Sequence, residues 1–174
     1  MLIYDALKED HEVLKPLLQQ LVESATGSEE RKALIAEIKQ SFVPHARAEE
    51  AVFYNGLREI RDPELKKLIM GHGYGEHAEA EAILHALYGV EGMSLQGDRL
   101  ARKLKLEIEH HIKEEESEMF AAAQQLLTEE EAEMMGEAFL RLKAEIAAQG
   151  EMRNMLEFVV NLMPDRLRPH NHII

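Results

Sequence analysis

The chain has 174 residues, 33 acidic against 20 basic side chains, a net charge of −13 and no cysteine. The length fits one domain with a sizeable core. The charge argues against nucleic acid and anionic membrane surfaces as partners, and the missing thiols exclude disulfides, thiolate catalysis and cysteine-ligated metals.

Ala, Leu, Glu, Lys and Met dominate, so the chain is expected to be mostly helical. The opening MLIYDALKEDH has neither the basic start nor the apolar core of a signal peptide. No apolar run reaches membrane-spanning length. The expectation is a soluble, cytoplasmic protein.

The first predicted helix carries Tyr4, Leu7, His11, Leu14, Leu18 and Leu21 at spacings of three and four, and stops at SATGS with Gly27 as its end signal. Ser28 can cap the second, with Arg31 rather than a glutamate at the capping-box position. Its stripe is Ile35, Ile38, Phe42, His45, Glu49, Val52 and Gly56, ending near RDPE. Pro44 should bend it just before His45. The third helix carries Met70, His77, Ala80, Leu84 and Leu87 behind a glycine-rich start, and stops in YGVEGMSLQGD. The fourth carries Ala101, Leu104, Ile108, His111, Glu115 and Met119. A fifth begins at Thr128, with Glu131 completing a capping box, and runs to about Gln149. A short methionine-rich segment, Met152 to Met163, ends at Pro164 before the loose DRLRPHNHII tail.

Four long helices with short connections predict an all-α, antiparallel up-down-up-down four-helix bundle with one or two extra C-terminal helices. Residues 1–126 form the bundle. Residues 127–164 form a helical extension packed on it or on another subunit, through which a homodimer can form, and 165–174 a flexible tail.

The first helix pair repeats in the second. A shift of 66 residues places His11 on His77, His45 on His111, Glu49 on Glu115 and Glu50 on Glu116, with Leu18, Leu21, Leu34, Ile38 and Phe42 on apolar partners. The other five histidines have no histidine counterpart. At about 1.5 Å rise per residue, His11, His45, His77 and His111 fall at one level of an antiparallel bundle. Each lies on an apolar stripe and points inward. Glu49 and Glu115 stand one turn after His45 and His111, on the same faces.

Two carboxylates inside a core are costly without a countercharge, and no lysine or arginine lies on these stripes near the layer. Metal cations answer the need, and imidazole with carboxylate suits iron, with manganese or zinc as substitutes. In a symmetric arrangement His11 and His45 hold one ion and His77 and His111 the other. Glu49 and Glu115 bridge them, an oxo or hydroxo group completes the bridge, and each ion keeps an open position for a small ligand. The alternative is a metal-free duplicated bundle whose histidines pair with glutamates.

The motifs EDHEVLKPLL, HARAEEAVFY, GEHAEAEAIL and HHIKEEESEMF resemble those of the hemerythrin-like (HHE cation-binding) family over roughly residues 1–125. The resemblance implies a non-haem di-iron centre that binds or senses oxygen, handles nitric oxide or peroxide in stress defence, or serves iron homeostasis. It leaves open whether the chain is an enzyme, such as one that reduces nitric oxide or peroxide or repairs iron centres. Oxygen-carrying members have a second histidine four residues from the first on the third helix; here Gly73 and Glu81 flank His77 at that distance. Glu81 and His72 are candidate extra ligands. Glu50 and Glu116 read as solvated surface residues, His110 as surface or outer-sphere, and His85 as structural. Phe53, Tyr54, Met119 and Phe120 read as core, with Tyr54 or Tyr4 as candidate donors to the centre.

Overall fold

The computed structural model describes residues 1–60, 63–69, 73–90 and 94–149. His72, the methionine-rich segment with its proposed dimer contact, and the tail with His170 and His172 lie outside the described residues. Among those described, every regular element is helical, and no helix is long and apolar enough to cross a membrane.

Helix α1 spans Ile3–Glu23 and α2 spans Glu29–Glu49. Ser24 leaves α1 in extended backbone, and Gly27 takes a φ of 78°, a left-handed conformation that glycine adopts at no steric cost. The Ser28 hydroxyl accepts the Arg31 backbone N–H at 3.0 Å and starts α2. The second arm continues through a π-helical turn, Glu50–Tyr54, into α3, Asn55–Glu59. The third arm contains α4, Pro63–Leu68, and α5, Tyr74–Gly89. The fourth runs through α6, Ser94–Glu114, a second π-turn, Glu115–Met119, and α7, Phe120–Leu126. Helix α8 spans Glu129–Gln149 behind a complete capping box: Thr128 N–H donates to Glu131 at 2.8 Å, and Glu131 N–H donates back to the Thr128 hydroxyl at 3.3 Å.

Helix α1 packs against α2 and α6, and α5 against α6 and α2. Successive arms joined by short connections therefore alternate in direction around a four-helix bundle. The fifth helix lies over α1 and α2. Its close approach depends on Gly136, where a Cβ would collide with the Met1 carbonyl oxygen and lie 3.0 Å from the Leu2 carbonyl carbon. Two apolar clusters fill the interior. One holds Leu14, Leu18, Leu21, Ile38, Phe42, Leu84, Leu104 and Ile108. The other holds Tyr4, Leu7, Phe53, Tyr54, Met119, Phe120 and Phe139. The polar layer with its histidines lies between them along the bundle axis.

Helix α2 continues through Pro44, and the departure from α-geometry comes later, at Glu50–Tyr54. The fourth arm carries the same departure at Glu115–Met119, so this irregularity belongs to both halves.

Candidate metal centre

His11, His45, His77, His111, Glu49 and Glu115 are all buried and face one another. Each is delivered by a different turn of helix: His11 from mid-α1, His45 and Glu49 from the end of α2, His77 from the first turns of α5, and His111 with Glu115 from the end of α6. Both glutamates sit where a π-turn begins. The Asn55 N–H reaches back five residues to the Glu50 carbonyl, and the Phe120 N–H to that of Glu115. Such wide turns recur at functional sites.

The Nε2 atoms converge on the two carboxylates. Glu49 Oε2 lies 3.3 Å from both His45 Nε2 and His77 Nε2. Glu115 Oε2 lies 3.2 Å from His11 Nε2 and 3.9 Å from His111 Nε2. The ring centroids of His11 and His45 are 5.1 Å apart, those of His77 and His111 4.6 Å. Each glutamate therefore touches one histidine of each pair. Glu49, His77 and His111 offer donor atoms that all lie within 4.8 Å of one another.

Every Nδ1 is held from behind by a carboxylate. His45 pairs with Asp10 at 3.1 Å, His111 with Glu76 at 3.0 Å, His11 with Glu116 at 2.9 Å and His77 with Glu50 at 3.0 Å. A carboxylate only accepts, so the neutral rings carry their proton on Nδ1 and aim the Nε2 lone pair inward. This fixes the tautomer and the ring orientation a metal needs. The supports obey the sequence repeat: Asp10 corresponds to Glu76 and Glu50 to Glu116.

The interior of the layer is electrostatically unfinished. His77 Nε2 and His111 Nε2 face each other at 3.1 Å, so two lone pairs would collide unless a proton or a cation stands between them. Burial disfavours charge on His77, but its contacts with Glu49 and Glu50 outweigh that and hold its value up to about 9. Burial pushes His111 down. Burial, followed by the charge of His45, pushes His11 well down. Burial and the neighbouring Glu49 charge drive Glu115 well above the ordinary carboxylate range. Glu49 resists its own burial through contacts with Glu115, His45 and His77 and stays well below that range. Both oxygens of each glutamate, and His11 Nε2, are buried without a hydrogen-bond partner. Buried acceptors are normally satisfied. This donor set, two carboxylates and four imidazoles with inward lone pairs, suits cations of the imidazole and carboxylate class.

The outer sphere departs from the sequence reading at several places. Glu50 is not a solvated residue: it is buried, bonded to His77, and paired with Arg47 at 3.3 Å. Glu116 is partly exposed yet holds His11. Arg47 is a buried cation beside the layer, and it also pairs with Glu81. Burial, opposed by Arg47, raises the Glu81 carboxyl. His110 is exposed and bonds Glu76 at 3.2 Å, while His85 is exposed rather than part of the core. Tyr54 stacks on His77 with centroids 5.6 Å apart, and its buried hydroxyl has no partner. Burial and the charges of Glu49, Glu115 and Glu50 hold its phenol protonated well above the usual range. Gly73 makes room for this ring: a Cβ there would lie 2.6 Å from it. Lys143 and Phe139 bring α8 to the site. Lys143 pairs with Asp10 at 2.6 Å, and the Phe139 ring lies 5.7 Å from that of His45.

A profile of the hemerythrin HHE cation binding domain matches residues 2–123. A DNA nickase from Nostoc sp. (strain PCC 7120 / SAG 25.82 / UTEX 2576) is 25% identical over 147 residues, which cover 84% of this chain and 40% of that protein. The chain therefore spans two fifths of that relative's length. The crystal structure of a hemerythrin HHE cation binding domain-containing protein from Mycobacterium kansasii superposes with a TM-score of 0.71 at 24% identity, over 93% of this chain and 99% of that one. At that identity the likeness speaks for the fold.

Proposed function

The chain belongs to the hemerythrin HHE cation-binding family, and on that premise we propose that its buried layer holds two iron ions and presents them to a small ligand in a sensing, storage or stress-defence role. His11 and His45 would hold one ion, His77 and His111 the other, with Glu49 and Glu115 bridging. Manganese or zinc are substitutes the same donors accept. The observation that carries this reading is the set of buried oxygens of Glu49 and Glu115 that lack a hydrogen-bond partner among inward-facing Nε2 atoms 3.2–3.3 Å away. When bound, the two ions would supply open coordination positions for dioxygen, nitric oxide or peroxide. The protein's own groups do the rest. Asp10, Glu50, Glu76 and Glu116 orient the rings. Phe42 and Phe139 shield the layer from water. The buried Tyr54 hydroxyl stands beside Glu49 as a donor.

DNA nicking stays with the cyanobacterial relative. A net charge of −13 opposes a phosphate backbone. The proposed partners are the small ligand and, through the C-terminal helices, a second copy of the chain, in a cytoplasmic setting.

Reconstitution of the metal-free protein with ferrous iron tests the reading. About two ions per chain are expected, with near-ultraviolet charge-transfer bands after oxidation. Purified protein that binds none would overturn it. Spectra before and after oxygen, nitric oxide and peroxide then separate the roles: a stable reversible adduct marks a carrier or sensor, and repeated turnover marks an enzyme.

A further inference from the structure

Glu81 stands in an unusual relation to the centre. It follows His77 by four residues, the spacing that elsewhere places Glu49 after His45 and Glu115 after His111. At that spacing a helix stacks both side chains on one face, the later one leaning back toward the earlier. In the other two pairs the glutamate meets the Nε2 of its own histidine, at 3.3 Å and 3.9 Å. Glu81 instead turns to Arg47.

Arg47 is built for this task. Its side chain is 2% exposed and lies between two carboxylates, with Glu50 on one fork and Glu81 on the other. Glu50 is committed to His77 Nδ1. Among the described residues, the counterparts of this pair in the other half of the repeat do not meet in this way. The counterpart of Arg47 is Lys113, which is exposed, and the counterpart of Glu81 is Lys15, which serves Glu12 and Glu116 at the surface. The Arg47–Glu81 pair is therefore no remnant of the duplication. It sits on the His77 side of the layer, tied to His77 through Glu50 and by the four-residue step from His77 to Glu81.

We propose that Glu81 is a third glutamate ligand held in reserve, and that Arg47 withholds it and so keeps a coordination position open on the His77 side. The proposal rests on the metal-binding reading above. A buried carboxylate that loses its guanidinium needs another cation; Lys39 also reaches Glu81, but an ion at His77 would stand one helical turn away on the same face. Arg47 is thus a positioning residue whose loss adds a ligand rather than removing one.

Cobalt(II) is the probe, because its visible absorption reports coordination number, and azide tests the open position. All variants are first checked for native helical content. In Arg47→Gln, cobalt(II) should remain bound, its visible band should weaken as coordination number rises, and azide affinity should fall by at least about tenfold, within the range known for residues behind metal ligands. The double change Arg47→Gln with Glu81→Gln should return spectrum and azide affinity to those of the parent protein; a merely structural ion pair would give no rise in coordination number in the single variant to be reversed. Arg47→Lys keeps the charge but loses the fork and should give an intermediate shift. If Arg47→Gln fails to fold, Arg47→Lys against Arg47→Lys with Glu81→Gln makes the same comparison. An unchanged spectrum and azide affinity in the Arg47 variants, or a double change that fails to restore them, would overturn the proposal while leaving the metal centre standing. A parent protein that binds no cobalt(II) would overturn both.

Discussion

Four carboxylates, Asp10, Glu50, Glu76 and Glu116, each hold one histidine of the layer at Nδ1. They leave the Nε2 side short of positive charge, and in the metal-free protein protons fill that deficit. His77 shows this most clearly. Its folded value of about 9 exceeds the ordinary 6.5, so protonation there stabilises the metal-free fold. That contribution is complete below about pH 6.5 and disappears as pH rises through about 9. On the proposed ligand set, metal and proton would compete for the same Nε2 atom. Iron or zinc binding should therefore release protons near pH 7, and the release should decline above pH 9; calorimetric titrations in buffers of different ionisation enthalpy measure it. A proton count that stays flat from pH 7 to 10 would contradict this account of His77. The six candidate ligands were readable because a 66-residue shift superposes them. The same shift aligns Asp10 with Glu76 and Glu50 with Glu116, so the outer carboxylates carried a signal too. A regular helix turns about 100° per residue, which from periodicity alone carries Glu50 toward solvent; only its contacts with His77 and Arg47 show it buried. Arg47 and Glu81 have no repeat partner of their own kind, and only the folded chain shows them meeting.

At the scale of elements, the two π-turns and α8 decide how the centre is presented. One π-turn begins directly after Glu49 and the other at Glu115, and hydrophobic periodicity alone does not reveal a five-residue hydrogen bond. The caps were legible: Ser28 and the Thr128–Glu131 box perform as their sequence implies. The seat of α8 was not, because it depends on a backbone approach at Gly136. Gly136→Ala should push α8 off the N-terminus of α1. Overpacking of this kind costs about 1–3 kcal/mol, which for this chain length corresponds to a Tm lower by roughly 2–12 °C. Gly75→Ala is the internal control. It lies in α5 with nothing within 4 Å of the added methyl, so the better helix former should raise stability by about 0.5–1 kcal/mol. Thermal melts of the two variants should move in opposite directions. A Gly136→Ala protein as stable as its parent would mean that α8 is not seated through this contact.

The whole molecule is a duplicated helical pair closed around a charged layer and covered on one face. Paired contacts obey the duplication: Asp10 with His45 answers Glu76 with His111, and Glu116 with His11 answers Glu50 with His77. Helix α8 breaks that symmetry, placing Lys143 and Phe139 over the Asp10–His45 side. On the opposite side, Glu76 meets the exposed His110. The proposed role of the two buried glutamates is to bridge a pair of cations. It is tested most directly by anaerobic ferrous iron titration of the metal-free parent protein beside the double change Glu49→Ala with Glu115→Ala. The parent should take up about two ions per chain, and the double variant should lose paired binding while keeping its helical content. Two ions retained by the double variant would contradict the bridging role, and none bound by the parent would contradict the centre itself.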